Sequence, residues 1–264
     1  MDISTIKCPI EEYLKLSEVE KENYIKKRLG EKREEFIFRS SNHIPLLIHK
    51  KWKLEFVYVP EGKYLKGFTK ENQLAAEKIN KVVNASYSEM RPVSIKNVGD
   101  FLITRTPVLD NFQNLDYSEN IPLYCSYEYA EEMARKTKMR LPNETEWEYF
   151  ARAGSESLFP FGDNLLEEKE LEKWMPQDFR DLSKYIANRL GIYGLFTGEW
   201  TSDFFQTNYC DNAEILTCKV IRGGGAMFWP WQDQEWVWCM SAMRMPSDDL
   251  IDNSCAFRLV FDIC

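Results

Sequence analysis

The chain has 264 residues, 44% hydrophobic and 14% aromatic, enough to bury a large core as one sizeable domain with a small appendage. Its formal net charge of -8, with 29% charged residues, argues against a bulk attraction to nucleic-acid phosphates or anionic membranes, so neither is expected as a partner. No run approaches the length of a membrane span, and the start, MDISTIKCPIEEYLKLSEVEKE, has neither a basic n-region nor an apolar h-region, so the expected location is cytoplasmic.

Residues 1–50 are read as a helical N-terminal extension, because Ile10, Tyr13, Leu14 and Leu16, then Tyr24, Ile25 and Leu29, fall at helix-face spacings amid dense charge. Residues 51–264 are read as the main domain. From Trp52 the pattern turns strand-like, with Pro60-Glu61-Gly62 as a turn between two strands and Phe101–Thr104 as a further strand. Ser126 is placed to cap a helix over YEYAEEMARKTK. Asn143, followed by Glu146 three residues on, predicts a capping box opening a second helix with Trp147, Phe150 and Ala151 as its apolar stripe and Gly154 as its left-handed end. LLEEKELEKW reads as an exposed helix, and beyond Asn188 the chain turns glycine- and aromatic-rich with short strands. Two central helices among short strands and long loops indicate an α+β class rather than alternating βαβ units.

Several segments, in order, resemble the formylglycine-generating-enzyme, or sulfatase-modifying-factor, family. The most specific is Arg140-Leu141-Pro142-Asn143-Glu144-Thr145-Glu146-Trp147-Glu148-Tyr149 with the following Ala151-Arg152-Ala153-Gly154 and Phe159-Pro160-Phe161-Gly162. Phe56–Tyr64, Ile103–Val108, Gly191–Leu195 with Glu199-Trp200-Thr201-Ser202-Asp203, Val220–Gly224 and Ala256–Val260 match further family segments, so the resemblance spans about residues 52 to 262. It implies the family's loop-rich variant of the C-type lectin fold, with short antiparallel strands. Trp147, Trp200 and Phe257 are then expected as core anchors, and Arg222 and Arg258 as ties between loops.

The chain departs from the family where its chemistry resides. Active members resemble one another in a cysteine pair after R-G-G-S that binds copper(I), and the matching positions here are Phe228 and Asp233. No cysteine stands between Cys218 and Cys239. The family's calcium loop is shortened to Phe196-Thr197-Gly198 before Glu199, so no cofactor is expected, with calcium through Glu199 and Asn188 the one cation left open. His43 and His49 are the only histidines, too few for the three-histidine iron site of the family's sulfoxide synthases, and both read as surface residues. The seven cysteines are odd in number and dispersed, which suits reduced thiols in a cytoplasm.

Residues 226–238 carry four of the eight tryptophans where the family has its catalytic loop. Phe228, Trp229, Trp231, Gln232, Asp233, Trp236 and Trp238 are therefore the candidate ligand-binding residues, with Trp236 and Trp238 on one face if the segment is a strand. The alternative is that these rings fill the volume of the missing site. The expected function is a non-oxidase binding or accessory protein with a protein partner, for which the N-terminal helices would form a docking arm. The rivals are an enzyme with a non-standard active site and a structural subunit of a larger complex.

Overall fold

A computed structural model of the chain describes residues 9–79, 87–112, 119–224, 235–247 and 255–263. Its helices are α1 (Pro9–Lys15), α2 (Glu18–Leu29), α3 (Lys70–Ile79), α4 (Tyr127–Thr137), α5 (Glu144–Arg152) and α6 (Glu168–Leu171). Its strands are β1 (Phe36–Ser41), β2 (Ile44–His49), β3 (Glu55–Val59), β4 (Gly62–Lys66), β5 (Ser94–Val98), β6 (Phe101–Thr104), β7 (Glu199–Gln206), β8 (Ile215–Arg222), β9 (Arg244–Pro246) and β10 (Val260–Asp262). They pair antiparallel in a five-stranded sheet of order β1-β2-β3-β6-β10, a two-stranded sheet β4-β5 and a three-stranded sheet β7-β8-β9. The class is α+β, as expected. Among the described residues no helix is long and apolar enough to cross a membrane.

The two strands flanking Pro60-Glu61-Gly62 form where predicted, but they join different sheets: β3 pairs with β2 and β6, β4 with β5. Phe56, Val57, Tyr58 and Val59 are all buried, which explains why β3 is a continuous apolar run rather than an alternating one.

The helical reading of residues 1–50 needs correction over its second half. Residues 36–49 are β1 and β2, joined by Asn42 and His43, both left-handed at φ 51° and 62°. Two left-handed residues make the two-residue turn whose twist matches a β-hairpin, and asparagine tolerates that conformation. Ahead of them, Ile10, Ile25 and Leu29 are buried in the main core. Arg28 on α2 donates from Nε and Nη2 to Asp100 at 2.6 and 2.7 Å, and Tyr58 donates to the same carboxylate. These helices apply their apolar face to the chain's own core.

His49 is also not a surface residue. It is buried, with Nδ1 accepting from the backbone of Lys51 and Trp52, so it closes the turn after β2. His43, in the hairpin turn, is exposed as expected.

Both central helices start as the sequence predicts. Ser126 accepts from Tyr129 N, and the Asn143–Glu146 capping box is reciprocal, with Glu146 N donating to Asn143 at 2.8 Å and Asn143 N to Glu146 at 2.9 Å. The left-handed exit of α5 begins one residue early, at Ala153 (φ 46°), and continues through Gly154 (φ 82°). Replacing Asn143 with Ala removes one half of the box. A loss of about 1 kcal/mol of stability is expected, read as a lower urea midpoint at unchanged slope.

Candidate functional site

Ahead of the tryptophan-rich segment the described residues run to Gly224, and they resume in a 3-10 helix over Glu235–Cys239. Phe228, Trp229, Trp231, Gln232 and Asp233 lie outside the described residues. Trp236 and Trp238 lie within them, in that 3-10 helix and not in a strand. Its three-residue period separates residues two apart, so Trp236 is buried at 1% exposure while Trp238 is half-buried.

Trp236 belongs to an aromatic floor. Its ring stands edge-on to Phe159 at 5.9 Å, Phe159 stacks on Phe161 at 4.8 Å, and Phe161 meets Trp174 and Phe196. Ser241 N donates to Leu158 O, tying the returning chain to this floor.

The departing end is fixed by close packing. At Gly223 (φ 75°) a Cβ would stand 2.3 Å from the Leu195 carbonyl oxygen and 2.9 Å from the Trp147 ring, so only glycine fits. Gly198 N donates to Gly223 O on the same crossing.

Beneath both ends lies a buried ionic cluster centred on α5. Oε1 of Glu144 accepts from Arg222 Nη1 at 3.0 Å, Arg244 Nε at 2.7 Å and Tyr209 Oη at 3.1 Å, while Oε2 accepts from Lys66 Nζ and Arg244 Nη2, both at 3.1 Å. One turn on, Glu148 accepts from Gly67 N, Arg152 Nε and Arg222 Nη2. Arg222 then donates to Ser241 O at 2.6 Å, so one guanidinium joins the end of β8, both glutamates and the chain beyond the tryptophan-rich segment. Burial works against the Glu144 carboxylate, but Lys66, Arg244 and Arg222 outweigh it and hold its pKa at about 2.

A second buried cluster secures the neighbouring crossing. Glu199 accepts from Arg258 Nε with both oxygens at 2.9 Å, from Trp147 Nε1 at 2.7 Å and from Thr197 Oγ1. Arg258 also donates to the carbonyls of Thr104, Tyr193 and Gly194. Asn188 donates to the carbonyls of Phe150 and Ala151 and accepts from Leu190 N and Ile192 N. The expected roles of Arg222 and Arg258 as loop ties, and of Trp147, Trp200 and Phe257 as core anchors, are what the structure shows.

Glu144, Glu148, Lys66, Tyr209 and Arg244 escape a reading of the sequence for chemistry. Acidic residues in a first helical turn read as solvent-facing partners of the helix dipole. The available signal is that Glu144, Glu148 and Arg152 repeat every four residues beside the apolar stripe, a second line down one face of α5.

Among the described residues no group of three His, Cys, Asp or Glu side chains could hold a metal ion. Cys239 is buried, and burial pushes its thiol well above its usual value.

The sulfatase-modifying factor enzyme 1-like domain family matches residues 49–263. PvdO from Pseudomonas aeruginosa is a solved structure similar to this chain, at 17% identity and a TM-score of 0.52 over 80% of this chain and 95% of that one. Variable protein 1 of Treponema denticola matches at 14% identity and 0.48 over 85% and 98%, and CarF at 13% and 0.42 over 79% and 98%. None of the curated proteins matches the sequence.

Replacing Glu144 with Gln leaves three buried cations with a weaker acceptor, and a loss of about 3–5 kcal/mol is expected on denaturant unfolding. The pH dependence has a defined sign. An unfolded Glu144 takes up its proton near 4.5 and the folded one near 2, so its contribution is complete above 4.5 and fades as pH falls towards 2. Stability of the Gln variant measured across that window should fall less steeply than that of the wild type.

Proposed function

The chain belongs to the sulfatase-modifying factor enzyme 1-like family, and from that membership we propose that it acts as a non-oxidase binding or accessory protein whose 226–238 segment is a protein- or ligand-binding surface. One observation carries the reading: the sequence holds no sulfur where the family's thiolate chemistry needs it. Phe228 and Asp233 stand at the positions matching the copper-binding cysteines, and no cysteine lies between Cys218 and Cys239.

Copper(I) is a soft ion that needs deprotonated thiolates. Cys239 is held protonated by burial, and Cys218 packs on β8 with Phe205 and Val220. This donor set does not fit copper(I), and no oxygen-activating step is derived through it. Nor does the Glu199 surround fit calcium, because that carboxylate already has Arg258 as its counter-charge and Asn188 directs its amide to backbone.

What recommends the segment as a surface is the contrast between its composition and its base. In the sequence Trp229 and Trp231 fall between two stretches that are anchored in the fold, and the second of these already has its own buried tryptophan, Trp236. Rigid amphipathic rings supply contact area at low entropic cost, and Gln232 and Asp233 supply polar partners. The partner class is a protein, in a reducing cytoplasm, since the net charge of -8 disfavours nucleic acid and anionic membrane.

Two measurements test this. Trp229→Ala with Trp231→Ala should abolish capture of the partner from native lysate while the melting curve stays within a few degrees of wild type; unfolding instead would assign these rings to packing. Copper(I) titration against a chelator should find no tight one-to-one site in the wild-type chain, and finding one would overturn the non-oxidase reading.

A further inference from the structure

A second concavity, of about 470 Å³, is lined by the β1–β2 turn, the chain following β6 and residues of the 179–183 segment. None of its lining residues belongs to the tryptophan-rich segment, and of the two ionic clusters it shares only Thr104 and Tyr193, whose carbonyls accept from Arg258. Arg105, the first residue after β6, is built into its wall. Its side chain is only 10% exposed, and its guanidinium lies over the Tyr193 ring at 5.0 Å.

That guanidinium is incompletely matched. Nη1 donates to Glu55 at 3.1 Å and Nη2 to Ser41 Oγ at 2.9 Å, which uses two of five N–H groups. Nε is buried with no partner among the described residues. Arginine cannot shed its proton in a protein, so the charge persists whatever its surroundings. A buried donor left unmatched costs about 1–3 kcal/mol, and it is the remaining N–H groups of Nη1 and Nη2, not Nε, that an oxyanion in the concavity would accept from.

Two further cations border the space. Arg180 is already taken up by a bidentate pair with Asp178. Lys53 is exposed on the rim, held there in a left-handed conformation at φ 58°, and has no ion-pair partner among the described residues. Arg105 and Lys53 therefore offer two positive charges against one lining carboxylate, Glu55, in a chain that is acidic overall.

We propose that this concavity binds a small organic anion through a carboxylate or phosphate group seated between Lys53 and Arg105. The remaining N–H groups on Nη1 and Nη2 give the fork that an oxyanion accepts from in a plane, and the Lys53 ammonium closes the third side. Glu55, 43% exposed on its side chain, has water available when an incoming anion competes for the fork. Apolar wall residues such as Pro107 and Leu109 take the organic part of the ligand.

The test is calorimetric titration of the full chain at constant ionic strength, with inorganic phosphate in one arm and succinate in the other. Saturable binding is expected in at least one arm, and the arm that saturates identifies the oxyanion. Lys53→Ala, on the exposed rim, should keep the fold and weaken binding by roughly five- to tenfold, as the loss of one charge-assisted contact implies. Arg105→Lys keeps the charge but removes the fork and should weaken it further, with circular dichroism as the check on fold. No saturation in either arm, or a folded Lys53→Ala chain that binds as tightly as wild type, overturns the proposal. Trp229→Ala with Trp231→Ala should leave this binding unchanged, so failure here and failure of the tryptophan-rich surface are separate results.

Discussion

Five hydrogen bonds converge on the carboxylate of Glu144, four of them from the cations Lys66, Arg222 and Arg244. An unpaired charge at that depth would cost several kcal/mol, so each partner is obliged to be present and in place. The obligation fixes geometry as well as energy. Lys66 brings β4, Arg222 brings β8, Arg244 brings β9, and Glu144 itself opens α5, so strands from two sheets are referred to one helix N-terminus. Desolvation makes such a cluster a weak source of net stability, whereas its directional bonds are a strong source of registry.

The second cluster repeats the device one crossing away. Arg258 is fully buried and divides its donors between Glu199 and three backbone carbonyls. Loops rich in glycine carry many backbone groups that no ladder satisfies, and a buried guanidinium with five donors can satisfy several at once. Trp147 links the two clusters, because its indole N–H reaches Glu199 while its ring lies beneath the Arg222 guanidinium at 5.3 Å. A loop-rich α+β fold with short strands thus acquires the rigidity that longer ladders would otherwise supply.

What could be read from the sequence was local. The Asn143–Glu146 box spans three residues, and its partners are visible in a short window, as is the Ser126 cap. The burial of Glu144 was not visible, since its cationic partners lie 78 and 100 positions away. Residues 36–49 were obscured by the charge around them and by a turn, Asn42-His43, that lacks the usual glycine. At Trp236 and Trp238 a spacing of two puts both rings on one face only in a strand, and a five-residue segment gives periodicity too little length to decide; the chain forms a tight helical turn that packs Trp236 against buried Phe159. For the tryptophan-rich segment the sequence supplies composition alone, with no cysteine between Cys218 and Cys239.

The two clusters also show which residues the architecture rests on. The groups that hold the chain at Gly223 and Ser241 are Glu144, Glu148, Arg222 and the backbone of Gly223 and Ser241, and none of them is a soft ligand. Fold integrity therefore rests on residues different from those that would bind copper. Among the hydrogen bonds described in the two clusters none passes through sulfur. Between Gly224 and Glu235 the sequence carries Trp229 and Trp231, and tryptophan is a residue type enriched at binding hot spots.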